Sequence, residues 1–88
     1  MTTSSSTDLE AAVREAILSV APDVEADLVT IDPDIDAFEE LQLDSMDHLN
    51  VVTALARTTG VEIPESDYPG LRSLGALVRY LAERAAGG

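Results

Sequence analysis

Leu43-Asp44-Ser45-Met46-Asp47 stands where an acidic segment without periodicity gives way to an amphipathic helical pattern. Downstream of it, apolar residues recur at helical spacing and polar residues fall largely between them. The apolar set is Met46, Leu49, Val52 and Leu55, and the polar set is Asp47, Asn50, Thr53 and Arg57. The pattern predicts a helix that begins close to Ser45 and, because Gly60 follows, ends near Thr58.

The predicted position of Ser45 at a helix start has a chemical consequence. Backbone N–H groups in a first turn lack intrahelical partners, and the helix dipole places positive charge there. An anionic group on the Ser45 oxygen would therefore be stabilised, even on an acidic protein. Asp44 is suited to cap the same helix start. The pentapeptide alone is also compatible with a plain helix cap, because Asp-Ser before an apolar run starts many helices.

The size and composition of the chain limit the possible classes of protein. Its 88 residues make one domain, near the size at which a single core suffices without cross-links. The chain contains no cysteine, which excludes a disulfide framework and a zinc–thiolate site. The polypeptide therefore has no thiol of its own, and any thioester would need sulfur from an added group.

The formal net charge of -12 comes from 17 acidic residues against five bases, all of them arginines. Binding to nucleic acid or to an anionic membrane is not expected, because both rely on Lys and Arg to neutralise phosphates. Basic protein surfaces are the expected partners. Met1–Ser6 lacks the features of a secretory signal, and no segment is long enough to span a bilayer, so a cytoplasmic monomer is the default expectation.

The rest of the chain reads as helices joined by loops. Residues 1–6 are expected to form a flexible leader and residues 7–86 one helical domain. Thr7 and Glu10 match a capping box for a first helix over Asp8–Val20, which Pro22 ends. The apolar stripe of this helix is Leu9, Val13, Ala16, Ile17 and Val20.

Residues 22–43 show no sustained helical period, yet they contain too many apolar residues for a loose linker. These are Leu28, Ile31, Ile35, Phe38 and Leu41. A wholly structureless connection of this length would be unusual. We therefore expect a long loop that packs on the helices, with a short helical turn around Phe38–Leu41.

The C-terminal part predicts one short and one long helical element. Glu65–Tyr68 is bracketed by prolines and is at most a helical turn, whereas Ser73 is suited to cap a last helix. The stripe of that helix is Leu74, Leu77, Val78, Leu81 and Ala85. The expected fold is all-α: a small four-helix bundle of three main helices and one short helix, with a long loop between the first two.

The order of these parts resembles the acyl carrier protein family over nearly the whole chain. The resemblance rests on FEELQLDSMD at residues 38–47, on the flanking helices, on VEIP at residues 61–64 and on the last helix. It implies that a phosphopantetheinyl transferase modifies Ser45, whose hydroxyl attacks the coenzyme A phosphate joined to pantetheine and releases adenosine bisphosphate. Ser45 would then bear a 4′-phosphopantetheine arm, and the chain would be a carrier of acyl thioesters rather than an enzyme.

The resemblance also implies roles for the neighbours of Ser45. Asp44 matches the family's residue before the serine, where its carboxylate helps to hold the Mg²⁺ that the transferase supplies. Met46 stands where the family more often has leucine, and its flexible apolar side chain is expected to pack or to meet a partner. The residues predicted to bind partners are Asp47, Met46, Glu39 and Glu40. The expected partners are the transferase and acyl-loading and acyl-processing enzymes with basic docking patches.

The chain departs from many fatty-acid carriers, in which acids cover the exposed face of the second helix. Here that face is nearly neutral after Asp47, and the acids concentrate upstream, where no base stands between Arg14 and Arg57. They are Asp23, Glu25, Asp27, Asp32, Asp34, Asp36, Glu39 and Glu40. Mutual repulsion is expected to raise some of their pKa values. The distribution favours a dedicated carrier of a specialised fatty-acid, polyketide or related pathway.

Two local patterns in the sequence suggest other kinds of site. Asp32-x-Asp34-x-Asp36 begins like a calcium loop, but Ala37 and Leu43 replace its glycine and its glutamate, so no metal site is predicted. His48 follows Ser45 by one turn, but without a G-x-S-x-G elbow a surface histidine near the arm is expected instead of a hydrolase base. Two functional alternatives remain: an unmodified acidic helical adaptor and a peptidyl carrier with aminoacyl cargo.

Overall fold

The computed structural model describes the backbone of residues 6–87 and the side chains of residues 8–84. Its elements, in chain order, are α1 (Ser6–Val20), a 3-10 turn (Pro22–Val24), α2 (Glu25–Thr30), α3 (Ala37–Glu40), α4 (Ser45–Thr59), a 3-10 segment (Glu65–Gly70) and α5 (Leu74–Gly87). Residues 6–87 contain no strand, and the predicted all-α class is confirmed. None of the helices described has the length and apolar character that a membrane span requires.

The core forms where α1 packs against both α4 and α5. Each of these helices turns an apolar stripe inward, and the central residues of the stripes are fully buried. They are Val13 and Ile17 in α1, Val51, Val52 and Leu55 in α4, and Leu77 and Leu81 in α5. Val20 and Val78, also predicted for these stripes, are half-buried, and the side chain of Ala85 lies outside the described range.

The connection between α1 and α4 is more helical than its sequence predicts. The expected turn is present as α3, but α2 is an additional helix of six residues. Val24, Leu28 and Phe38 are buried and hold the connection against the core. α2 gives a weak helical signal because Leu28 is its only buried residue, while Val29 is 69% exposed. Ile35, which was expected to pack, is also exposed.

α1 begins at Ser6, earlier than the predicted start at Asp8. Residues 1–5, which make up most of the expected leader, lie outside the described residues. The side chain of Thr7, one half of the predicted capping box, lies outside them as well. At its other end α1 stops at Val20 and Pro22 opens the 3-10 turn, so the predicted end is confirmed.

The turn between α3 and α4 is closed by two backbone hydrogen bonds. The N–H of Leu43 donates to the Phe38 carbonyl at 2.7 Å, and the N–H of Gln42 donates to the Glu39 carbonyl at 3.1 Å. This pattern ends a helix through one residue in the left-handed region, here Gln42 with φ of 60°. Glycine is usually preferred at such a position, because a Cβ atom destabilises it.

The ends of α4 and α5 follow their sequence signals. α4 stops at Gly60, whose φ of 74° lies in the left-handed region and whose N–H donates to the Ala56 carbonyl at 2.9 Å. Ser73 caps α5, since its Oγ accepts a hydrogen bond from the N–H of Ala76 at 3.0 Å. Both predicted boundaries are confirmed.

Candidate functional site

Ser45 is the first residue of α4, and its side chain is exposed. The preceding residue, Asp44, caps the helix, because its Oδ1 accepts a hydrogen bond from the Asp47 N–H at 2.9 Å. In return the Oδ2 of Asp47 accepts from the Asp44 N–H at 3.3 Å. This reciprocal capping box satisfies two backbone donors and fixes where the helix begins. The predicted helix start and the capping role of Asp44 are confirmed.

Two backbone donors beside the Ser45 hydroxyl remain available. Among the residues that the structure describes, no acceptor bonds the N–H of Ser45 or of Met46. Both groups lie at the positive end of a helix of 15 residues. An anionic substituent on the Ser45 oxygen would meet these donors. The helix start therefore combines an exposed hydroxyl with surroundings that stabilise an added anion.

An open groove lies beside Ser45. It is lined by Ser45, Met46, His48, Leu49, Glu65, Tyr68, Pro69 and Arg72, which come from α4 and from the segment before α5. Met46 is 62% exposed and Leu49 is 38% exposed. These two residues follow the helical spacing that predicts α4, but the buried places in this part of the helix are taken by His48 and Val51. Exposed apolar side chains next to a reactive hydroxyl are suited to contact a partner or a bound group.

The prediction that His48 is a surface residue is wrong, because its side chain is only 5% exposed. Its Nε2 lies 2.7 Å from the Leu71 carbonyl oxygen, which can only accept, so Nε2 donates. The ring also meets Phe38 and Tyr68 edge-on, with centroids 4.5 and 5.9 Å apart. His48 thus ties α4 to the segment that leads into α5. The sequence signal for its burial is its position two helical turns before Leu55, which places both residues on one face of α4.

Arg72 lies beside the acidic segment between α1 and α4 and pairs with one of its carboxylates. The sequence does not indicate this contact. Its Nε donates to the Oδ2 of Asp36 at 2.6 Å, and its guanidinium lies 5.7 Å from the centre of the Phe38 ring. The Oδ1 of Asp36 accepts from the Glu39 N–H at 3.0 Å and thereby caps α3. The carbonyl of Arg72 accepts from the Ala37 N–H at 2.8 Å. Arg72 therefore holds the start of α3 by two hydrogen bonds, one from its side chain and one through its backbone carbonyl.

These contacts change the acidity of Asp36. Partial burial raises the pKa of its carboxyl, but the hydrogen bonds from Arg72 and from the Glu39 N–H, with the charge of Arg72, outweigh it. The net result is a pKa below the usual value of 3.8. Asp36 is therefore not one of the acids whose pKa values repulsion raises. A partner 36 positions away cannot be read from local spacing.

The residues predicted to bind partners differ in exposure. Glu39 and Glu40 on α3 and Met46 on α4 are exposed, whereas Asp47 is half-buried within the capping box. The outer face of α4 also presents Asn50, Thr53 and Arg57, all exposed. This face is therefore close to neutral, as the sequence indicates, and acidic side chains are offered by α3 instead.

The acidic segment shows no arrangement typical of a cation site. Within the described side chains, no group of three or more His, Asp or Glu residues is placed to hold a metal ion. The Oδ1 of Asp32 accepts from the Asp34 N–H at 2.8 Å, and Asp36 pairs with Arg72. The carboxylates of Asp32 and Asp36 therefore accept hydrogen bonds from nearby backbone N–H groups and from one arginine.

Known proteins resemble this chain in sequence. A family model described as the phosphopantetheine attachment site matches residues 11–81. The acyl carrier protein of Campylobacter hominis is 42% identical over 72 residues, covering 78% of this chain and 84% of that relative. The acyl carrier protein of Syntrophobacter fumaroxidans is 31% identical over 67 residues, covering 76% and 83%, and that of Helicobacter pylori is 28% identical over 64 residues, covering 73% and 82%. No solved structure gives a significant match.

Proposed function

Because the chain belongs to the acyl carrier protein family, we propose that Ser45 is the residue that bears its 4′-phosphopantetheine. The protein is a non-catalytic carrier of acyl groups, and the family implies interaction with a phosphopantetheinyl transferase and with acyl-processing enzymes. The arm supplies the terminal thiol that holds cargo as a thioester. This chain has no cysteine that could take its place.

The assignment to Ser45 rests on a comparison of the surroundings of the serines within residues 11–81. Ser19 donates its hydroxyl to the Ala16 carbonyl at 2.7 Å, and Ser73 is engaged as the cap of α5. Ser66 is exposed but lies in a 3-10 segment, without the start of a long helix. Ser45 combines an exposed hydroxyl, the first position of α4 and two available N–H groups.

The same surroundings fit a phosphodiester. In the transfer, a bond forms between the Ser45 oxygen and the coenzyme A phosphorus, the bond from that phosphorus to adenosine bisphosphate breaks, and the hydroxyl proton passes to a base of the transferase. The N–H groups of Ser45 and Met46 then face the resulting negative charge. Asp44 keeps the helix start in place and is proposed to help hold the Mg²⁺ of the transferase.

We further propose that the carrier serves a specialised fatty-acid, polyketide or related pathway. The support is the neutral outer face of α4, where Asn50, Thr53 and Arg57 are exposed. Partners would contact exposed acids on α3 and the apolar side chain of Met46, with Asp47 at the edge of this surface. An unmodified adaptor is not favoured, since the family carries a prosthetic group.

The attachment site can be tested by intact mass after incubation with coenzyme A and a broad-specificity transferase. The wild-type chain should gain the mass of one phosphopantetheine, and Ser45→Ala should gain none. Ser66→Ala is the matched control, because it removes an exposed hydroxyl elsewhere and should be labelled as the wild type is. Far-UV circular dichroism should show that all three proteins are folded. Labelling that persists in Ser45→Ala would overturn the assignment.

The partner surface can be tested by charge reversal. Glu39→Lys with Glu40→Lys should slow association with the transferase and flatten its salt dependence, because exposed charges act mainly by steering. Glu83→Lys, an exposed reversal on α5, is the control. An unchanged rate in the α3 variant, together with a loss of binding in Asn50→Ala and Arg57→Ala, would move docking to the neutral face.

A further inference from the structure

The groove beside Ser45 contains one arginine on a protein with a net charge of -12. Arg72 and Glu65 line it, and so does His48, whose Nε2 donates to the Leu71 carbonyl. The rest of the lining is the Ser45 hydroxyl and mainly apolar surface. Arg72 is therefore the only arginine or lysine among the described residues that share this groove with Ser45.

Arg72 is only partly occupied by the contacts that hold it. Its Nε donates to Asp36, but among the described residues neither terminal nitrogen donates to an acceptor. The side chain remains 36% exposed. A guanidinium presents five N–H donors in a planar fork, so it can bind one carboxylate through Nε and a second oxyanion through its terminal nitrogens.

A phosphodiester on Ser45 would need such a counter-charge. Its negative charge would lie beside the Asp44 and Asp47 carboxylates of the capping box. The N–H groups at the helix start offset this repulsion with partial charges only. A cation that lines the same groove would supply a full charge, and charge-assisted bonds to phosphate oxygens suit the guanidinium geometry.

We propose that Arg72, held by Asp36, binds the phosphodiester of the arm on Ser45. The inference rests on the proposed attachment to Ser45 and assigns to this chain a binding residue for its own prosthetic group. Arg72 would hold the first part of the arm against the groove, next to the apolar side chains of Met46 and Tyr68. Asp36 occupies only the Nε of the guanidinium, which leaves its terminal nitrogens for the phosphodiester.

The experiment combines the modification with the mutation. Melting temperatures of the unmodified and modified forms are measured at low salt for the wild type, Arg72→Gln, Arg57→Gln and Asp36→Asn. On modification, the melting temperature of the wild type should change more favourably than that of Arg72→Gln. The difference should be about 1–6 °C, the range for one exposed ion pair in a domain of this size. High salt should remove this difference. The ³¹P shift of the modified form should also change in Arg72→Gln.

The two other variants separate binding from structure. Arg57→Gln removes an exposed arginine of α4 that does not line the groove, and it should behave as the wild type does. Asp36→Asn breaks the ion pair but keeps a good N-cap for α3, so it tests whether loss of that pair alone explains the result. Because it leaves the guanidinium free, its favourable response to modification should be at least as large as that of the wild type.

The outcomes distinguish this inference from the proposed function. Intact mass first establishes that each protein carries the arm on Ser45; without labelling there, the proposed function fails. Full labelling with an equal melting change and an equal ³¹P shift in the wild type and Arg72→Gln would overturn the role of Arg72 alone. An effect that appears only when the arm carries a cargo ending in a carboxylate would also overturn it, because Arg72 would then bind cargo and not the phosphodiester.

Discussion

The two ends of α4 differ in how much of their apolar surface is buried. At the N-terminal end Ser45, Met46 and Leu49 are exposed, and two carboxylates fix the helix through a capping box. Towards the C-terminal end Val52 and Leu55 are fully buried, and a glycine in the left-handed region ends the helix. The helix is thus anchored mainly by the half away from Ser45, with His48 as the buried residue near the site. Residues near the site are free to serve partners and the prosthetic group because they contribute little to the core.

The largest expected effect tests this division directly. Leu55→Ala should lower the free energy of unfolding by about 2–5 kcal/mol, because a fully buried leucine is replaced and a cavity remains. Met46→Ala should change it by less than about 0.5 kcal/mol, since this side chain is mostly exposed. Urea denaturation measures both. Similar losses in the two variants would show that the N-terminal half also supports the core.

His48 is the buried residue between the exposed Met46 and Leu49, and it gives the second effect. His48→Leu should cost about 1–3 kcal/mol, because the Leu71 carbonyl loses its donor within a buried site. Leu49→Ala, at the exposed neighbour, is the control and should cost less. The comparison uses the same urea denaturation. A variant as stable as the wild type would mean that packing against Phe38 and Tyr68, and not the hydrogen bond, holds this ring.

The sequence predicts the local features of both ends of α4 and misses the contacts between distant segments. Asp44 before Ser45 indicates a cap, and Gly60 indicates a stop, because each acts on the backbone beside it. The burial of His48 depends on a carbonyl 23 residues away. The exposure of Met46 likewise depends on which face meets α1, which an apolar pattern with several nearly equivalent faces does not decide.

The connection before α4 shows the same limit. Its short helix around Phe38 is predicted from clustered apolar residues, but α2 has a single buried residue, Leu28, and gives no period. The pairing of Asp36 with Arg72 joins residues whose local surroundings give no hint of each other. The candidate attachment residue was therefore accessible from sequence, whereas the groove beside it was not.

The third effect concerns Asp44, the N-cap of α4. Asp44→Ala should cost about 0.5–2 kcal/mol, because the Asp47 N–H loses its acceptor. Asp44→Asn should keep most of the stability, since asparagine caps about as well as aspartate. If Asp44 also helps the transferase hold Mg²⁺, the asparagine variant should be stable but labelled slowly. Equal labelling rates for Asp44→Asn and the wild type would leave capping as the only role of this residue.

The fourth effect is a stabilisation at the turn that leads into α4. Both flanks of the helix place one residue in the left-handed region, Gln42 before it and Gly60 after it. Gln42→Gly should raise the free energy of unfolding by about 0.5–1 kcal/mol, because relief of Cβ strain exceeds the added entropy of the unfolded chain. Gly60→Ala should act in the opposite direction. A loss of stability in Gln42→Gly would indicate that the glutamine side chain contributes contacts of its own.

The smallest expected effect concerns Asp36, which lies outside α4 but pairs with the arginine of its groove. The pKa of Asp36 is lowered in the folded protein, so its ion pair contributes stability above the unfolded pKa near 3.8 and loses it as the pH falls through the folded pKa. Because both side chains are about one third exposed, the contribution should be only about 0.2–1 kcal/mol.

Asp36→Asn removes this contribution and provides the test. The stability difference between the wild type and the variant should be constant from neutral pH to about pH 5 and should shrink at lower pH, where the wild-type carboxyl is protonated. Urea denaturation at a series of pH values measures it. A difference that grows on acidification would contradict the lowered pKa. It would instead mean that repulsion from the neighbouring acids outweighs Arg72, and that the guanidinium is less firmly held beside the groove of Ser45 than the 2.6 Å contact indicates.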